Sequence, residues 1–128
     1  MDLELKGKSV VVTGGGSNIG RAIVLGFAEE GANITIGDID EVQANKVVKL
    51  ALEKGAAGVQ LVKTDVTDLN QVKAMFDAAV KKFGTVDNLV NNVGWDQMMF
   101  FTKTTPEFWQ KVIQINYLSV LNCTRVAL

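Results

Sequence analysis

The sequence predicts an α/β fold: a doubly wound parallel sheet of four strands in the order 3-2-1-4, with helices on both faces. Three observations carry this. Short apolar runs alternate with helical patterns at a spacing of about 25 residues, the rhythm of strand–helix–strand units. Each of the first three helical patterns stops at a glycine, Gly31, Gly55 and Gly84. The first run, Val10-Val11-Val12, is apolar without alternation, as expected of a strand covered on both faces. Right-handed crossovers and the usual winding then set the strand order. They put the first two helices on one face and the third on the other.

The elements follow in order. Residues 1–8 are a lead-in, and Ser9–Thr13 is the first strand. Asn18–Glu30 is the first helix, with Ile19, Ile23 and Phe27, beside Ala22, Leu25 and Ala28, as its apolar contacts. Asn33–Asp38 is the second strand. Asp40 caps a helix running to about Lys54, with Gln43 in the reciprocal position of a capping box. Its apolar side is Ala44, Val47, Val48, Ala51 and Leu52. Val59–Lys63 is the third strand. Asp68 and Gln71 repeat the cap-and-box pattern before a stripe of Val72, Phe76, Ala79 and Phe83. Val86–Val90 is the fourth strand, an edge. Asn91–Thr105 is the one long loop, rich in Trp95, Met98, Met99, Phe100 and Phe101. It reads either as a segment folded back over the core or as a pocket wall or oligomer contact. Thr105 caps a last helix over 106–128, with Pro106 at its first position.

Composition removes several classes of function. Lys plus Arg is 13 and Asp plus Glu is 14, a net charge of -1, so nothing steers the chain toward nucleic acid or an acidic membrane. There is no histidine and one cysteine, Cys123, which excludes an intrachain disulfide, a Ser-His or Cys-His nucleophile pair and a conventional zinc or copper site. The N-terminus lacks a signal-type apolar core, and no run approaches membrane-spanning length. The expectation is one soluble, cytoplasmic domain over 1–128 with no metal.

The chemistry sits at the strand ends. Gly14-Gly15-Gly16-Ser17-Asn18-Ile19-Gly20 joins a buried strand to a helix, where backbone N–H groups can hold a pyrophosphate. Gly14 makes the tight turn and Gly20 permits close helix packing; Gly15 and Gly16 keep the intervening backbone open. No Gly-Lys-Ser/Thr follows, which excludes a Walker A loop. Asp38 ends the second strand and can accept hydrogen bonds from ribose hydroxyls. Ser17 and Ile39, beside it, offer no positive charge to a 2′-phosphate, so NAD is favoured over NADP. Asp65 is either a turn residue or an adenine ligand. Asn91, Asn92 and Gly94 bend the chain after the fourth strand, as structural turn or as ligand contact. Asn116 lies inside a helix, where Asn is unfavourable; it either faces water or brings a polar group to a reaction site.

Together these residues resemble the N-terminal half of a classical short-chain dehydrogenase/reductase, a Rossmann-type fold. The matches are Thr13-Gly14-Gly15-Gly16-Ser17-Asn18-Ile19-Gly20, Asp38, Asp65-Val66, Asn91-Asn92-Val93-Gly94 and Asn116. Gly94-Trp95-Asp96 and Phe101-Thr102-Lys103-Thr104 look more narrowly like the 2-hydroxycyclohexanecarboxyl-CoA dehydrogenase-like members. The resemblance implies Gly14, Asn18, Ile19 and Gly20 along the pyrophosphate, Asp38 on the adenosine ribose, and Asp65 and Val66 at adenine. It also implies Asn92 and Gly94 near the nicotinamide ribose, and Asn116 as the catalytic-site asparagine supporting a proton-relay water. It implies NAD as cofactor, an alcohol or ketone (in the narrower likeness a CoA thioester) as substrate, and a homo-oligomer through helix 106–128 or the strand 86–90 edge.

Three departures stand out. Asn18 replaces the family's middle glycine, and Val93 its usual alanine. The catalytic Ser and Tyr-x-x-x-Lys are absent, since the only tyrosine is Tyr117 and position 121 is Leu. The reading is therefore of a dinucleotide-binding domain incomplete at its C-terminus, itself inactive. The alternative is a non-catalytic nucleotide-binding half-fold or a stand-alone folding fragment.

Overall fold

The computed structural model describes residues 2–128. Strands β1 (Ser9–Thr13), β2 (Asn33–Asp38), β3 (Gly58–Lys63) and β4 (Asn88–Val90) form one parallel sheet in the order β3-β2-β1-β4. Helices α1 (Asn18–Glu29), α2 (Glu41–Lys54) and α3 (Leu69–Phe83) connect them. The chain then runs through a 3₁₀ turn at Phe101–Lys103 into α4 (Pro106–Ile113), a π-helical segment (Gln114–Leu118) and α5 (Ser119–Ala127).

Side chains alternate across a strand, so the three valines of β1 serve both faces. Val10 and Val12 join Ile34 and Ile36 beneath Val24, Ala28, Ala44, Val47 and Ala51 of α1 and α2. Val11 joins Val72, Met75, Phe76 and Ala79 of α3 and Cys123 of α5 on the other face. Burial pushes the Cys123 thiol up to about 11, which keeps it protonated and makes it a packing residue. Thr35 is buried, and its hydroxyl accepts from Gln60 Nε2 (3.0 Å), which also donates to the Ala78 carbonyl on α3 (3.1 Å).

The structure corrects the sequence expectations in several places. The fully buried positions of α1 are Gly20, Val24 and Ala28, at steps of four, with the expected Ile23, Leu25 and Phe27 partly buried and packed beside them. Ile19 and Ala22 depart from the expectation: both are exposed, Ile19 at 72%. Gly15 and Gly16 are buried rather than open; a Cβ at Gly15 would strike Ile36 and Val24, and one at Gly16 would strike Asp38. Asp40 and Asp68 do cap α2 and α3, but neither box is reciprocal. The N–H of Asp40 donates to Asp38 Oδ1 (2.9 Å) and that of Asp68 to the Asp65 carbonyl (3.0 Å), so the glutamines find these donors already engaged. On α2, Leu52 is half exposed. The fourth strand is shorter than expected, although Ser9 and Asp87 still exchange hydrogen bonds below it. The long loop is not folded back over the core: Met98, Phe100 and Phe101 are exposed, and Phe101 stacks on Trp109.

The last helix is broken by its π segment. Such a segment shifts the hydrogen-bond register and frees carbonyls. Here polar side chains collect them: Asn116 Nδ2 donates to the Val112 carbonyl (3.0 Å) and Ser119 Oγ to the Ile115 carbonyl (2.5 Å). Among the described residues, no helix is long and apolar enough to cross a membrane.

Candidate functional site

A parallel sheet gathers its strand ends on one edge, and at the point where the winding reverses, between β1 and β4, a crevice must open. A cleft of about 580 Å³ lies there, the size range of small-molecule sites. Gly14, Ser17, Asn18, Ile19 and Gly20 line it from the turn after β1, Asp38 and Ile39 from β2, Asp65 and Val66 from β3, and Asn92 and Gly94 from β4. The structure thus brings together every residue assigned to cofactor contact in the sequence. Asn91 points elsewhere; its amide donates to Thr124 Oγ1 (3.3 Å). Asn116 does not line the cleft either.

The turn itself is built for close approach. Asn18 takes a left-handed φ of 50°, the conformation that its missing glycine would have supplied and that Asn tolerates better than most residues. At Gly20 any Cβ would collide with the Gly14 carbonyl, and it would lie 2.5 Å from Asn92 Nδ2. The amide of Asn92 donates to the carbonyls of Thr13 (3.1 Å) and Gly14 (3.1 Å). The Thr13 hydroxyl in turn accepts from the N–H groups of Asn92 (3.0 Å) and Val93 (3.3 Å). Asn92 is therefore a strut between the ends of β1 and β4.

The N-terminus of α1 carries the electrostatics. Its N-cap, Ser17, makes no side-chain capping bond, so the N–H groups of Asn18, Ile19 and Gly20 are left for another acceptor. Open N–H groups at the positive end of a helix dipole suit an anion. Beside them, Asp38 is held in one orientation: Oδ2 accepts from the Gly16 N–H (2.9 Å) and Oδ1 from the Asp40 N–H (2.9 Å). Each oxygen keeps a free lone pair. Asp65 Oδ1 accepts from the N–H (2.9 Å) and hydroxyl (2.6 Å) of Thr67. Gln71 Oε1 accepts from the Asp65 N–H (2.8 Å).

On the α4 side the cleft has a different character. Asn116 grips the backbone of Trp95 from both sides: Oδ1 accepts from its N–H (3.0 Å) and Nδ2 donates to its carbonyl (2.6 Å). Trp95 packs against Phe108 and carries the Lys111 ammonium 3.9 Å from its ring centroid. Trp95 lines the cleft, as the pocket-wall reading of its loop allowed, whereas sequence reading missed Lys111 and Ile115 as lining residues, along with Thr64 and Thr67. The threonines flank Asp65 and were within reach of the strand-end argument. Lys111 was not, because nothing in its local sequence says which way that face of α4 turns.

Residues 8–128 match the family model described as short chain dehydrogenase. The chain is 37% identical over 125 residues to a 3-oxoacyl-(acyl-carrier-protein) reductase of Thermotoga maritima, covering 97% of this chain and 50% of that protein. It is 36% identical over 124 residues to 3beta-hydroxysteroid dehydrogenase 2 of Eggerthella lenta, covering 96% and 47%. Among solved structures, a short chain dehydrogenase/reductase from Burkholderia phymatum in complex with NAD superposes with a TM-score of 0.91 at 35% identity, covering 97% of this chain and 44% of the other. The chain spans about half the length of the curated relatives it matches.

Proposed function

The chain belongs to the short-chain dehydrogenase family, and from that premise we propose that its cleft binds NAD and serves an oxidoreductase that interconverts an alcohol and a ketone. The observation that carries the reading is Asp38. Its carboxylate is fixed by two backbone N–H groups next to the uncapped start of α1, so a hydroxyl acceptor and an anion site stand side by side, as adenosine ribose and pyrophosphate require. The turn fits the group sterically, since the bare Gly20 lets α1 start against the Gly14 carbonyl and the Asn92 amide, which keeps the residues of its first turn on the cleft. When bound, the nicotinamide supplies the hydride acceptor or donor.

The residues present do the holding. The N–H groups of Asn18, Ile19 and Gly20 take the pyrophosphate, Asp38 the ribose, and Asp65 and Val66 the adenine. Asn92 and Gly94 shape the passage toward the nicotinamide. Asn116 is a positioning residue: it fixes the Trp95 backbone at the substrate wall. That wall includes Gly94–Trp95, the stretch behind the narrower likeness to CoA-thioester dehydrogenases, and a thioester substrate is the finer form of this proposal.

Exchange of the hydroxyl proton needs a general acid–base group such as a tyrosine with a depressed pKa. The only tyrosine in the sequence is Tyr117, which is exposed and has Leu121 four residues on. This favours a second reading of these 128 residues by themselves, a nucleotide-binding half-fold without turnover. Isothermal titration tests the cofactor assignment. NAD should bind saturably, and NADP about tenfold or more weakly, because its 2′-phosphate would face the Asp38 charge. No NAD binding, or equal affinity for NADP, defeats the assignment. Alcohol-dependent NADH absorbance from the same sample would remove the half-fold reading.

A further inference from the structure

The cleft has two charged ends of opposite sign. Asp38 and Asp65 supply the acids on the sheet side; Lys111, from α4, is the one cation among the lining residues. Lys111 has no part in either ion pair found among the described residues, Lys54–Glu29 and Lys63–Glu41. Its ammonium rests instead on the face of Trp95, at 3.9 Å. A cation over an aromatic face is located without being neutralised, because the ring quadrupole holds it while its N–H donors stay free. The platform is itself fixed by the two bonds from Asn116 to the Trp95 backbone and by the contact with Phe108.

We propose that Lys111, seated on Trp95, is an anion-recognition residue of the cleft, taking the oxyanion of a carboxylate or phosphate. This rests on the cofactor reading for its context and deepens it. The α1 terminus offers backbone N–H groups to one anion; Lys111 offers a point charge seated on Trp95, from a separate element, to another. Two sources carry the same chemistry: a phosphate of the bound nucleotide, or an acidic group on the substrate near its reacting carbon. A substrate with such a group would be held on the α4 side, and its neutral analogue would lose that contact.

The test compares matched probes that differ in charge, on the wild-type chain, Lys111→Gln and Lys111→Arg. AMP against adenosine reports the nucleotide source. 3-Hydroxybutyrate against its methyl ester, with and without saturating NAD, reports the substrate source. Calorimetry should show at least one charged probe binding better than its neutral partner in the wild type. That advantage should shrink about fivefold or more in Lys111→Gln, the scale of a partly exposed charge-assisted hydrogen bond, and return in Lys111→Arg. Neutral probes should not respond. Loss confined to AMP assigns the residue to the nucleotide, and loss confined to 3-hydroxybutyrate assigns it to the substrate. Charge advantages unchanged by Lys111→Gln, or absent from both pairs, overturn the proposal. If NAD fails to bind while a Lys111-dependent advantage persists, the cofactor reading falls and this one stands. Lys111 is exposed, so the variants should keep the wild-type far-UV spectrum and melting temperature.

Discussion

The N-terminus of α1 and those of α2 and α3 begin alike, each just after a strand of the same parallel sheet, and they end up in opposite states. At α2, Asp40 Oδ1 accepts from the Gln43 N–H (3.0 Å); at α3, Asp68 Oδ1 accepts from Asn70 (2.9 Å) and Gln71 (3.3 Å). The chain supplies its own acceptors there, one N–H at α2 and two at α3, and both helix starts are capped. At α1 a capable capping residue, Ser17, sits in extended geometry (φ -153°, ψ 160°) and makes no capping bond. The same local chemistry is thus spent on stability at two helix starts and withheld at the third. That third one opens on the cleft, beside the fixed Asp38. Withholding a cap leaves helix stability of the order of 1 kcal/mol unrealised, and that unrealised capacity is what an anionic ligand can take up.

The largest test attacks the surface that keeps α1 close to the sheet. Gly20→Val should be the most damaging substitution, because the atoms its side chain meets are the Gly14 carbonyl and the Asn92 amide, which is bonded to that carbonyl. Overpacking against backbone costs roughly 1–3 kcal/mol. Helix α1 would also have to back away from the cleft. Thermal melts should show clear destabilisation, and calorimetry no measurable NAD binding. Wild-type affinity in this variant would show that the closeness of α1 is irrelevant to the site.

The next test turns α1 into a helix like α2. Ser17→Asp places a carboxylate at the open start. It should raise stability by about 0.3–1 kcal/mol through capping and the helix dipole. At the same time it competes with any bound anion, and NAD affinity should fall about tenfold, roughly 1.4 kcal/mol of repulsion between like charges in a partly solvated site. Stability and affinity moving in opposite directions is the signature. If both rise together, the α1 terminus is not where the cofactor's charge sits.

Much of this contrast was legible before any coordinates. Val10-Val11-Val12 and the glycine stops marked a buried strand and the helix ends, because burial on both faces and helix termination are local properties, and right-handed crossovers with the usual winding then set the sheet order. Gly14, Asn18, Gly20, Asp38 and Asp65 could be placed in one cleft because a parallel sheet necessarily collects its strand ends. On α1, Gly20 packs close as its missing side chain implies and Ile23 and Phe27 reach the core, but Ile19 stays exposed at the cleft, because hydrophobicity alone does not say which residue of a first turn faces inward. The non-reciprocal boxes were also out of reach: whether Gln43 or Gln71 meets a free donor depends on where Asp38 and Asp65 already bond. The π segment had one sign, Asn116 in mid-helix, but its meaning needed the Trp95 backbone beside it. Lys111 had none, for its role depends on a loop conformation that no pattern encodes.

The smallest expected effect serves as the control. Asp68→Ala removes the acceptor of two N–H groups at the start of α3 and should cost about 1 kcal/mol, or a fall in melting temperature of roughly 3–5 °C for a domain of this size. Both released donors are exposed, so water takes them and the loss stays modest. Asp68 does not line the cleft; Asp65, three residues earlier, does. NAD affinity should therefore stay within about twofold of wild type while stability drops, the reverse of Ser17→Asp. A parallel loss of affinity would mean that the cap at α3 supports the Asp65 wall through Gln71, whose Nε2 donates to Asp68 Oδ2 (3.3 Å) and whose Oε1 accepts from the Asp65 N–H (2.8 Å). The division between helix starts that stabilise and the one that binds would then be a matter of degree.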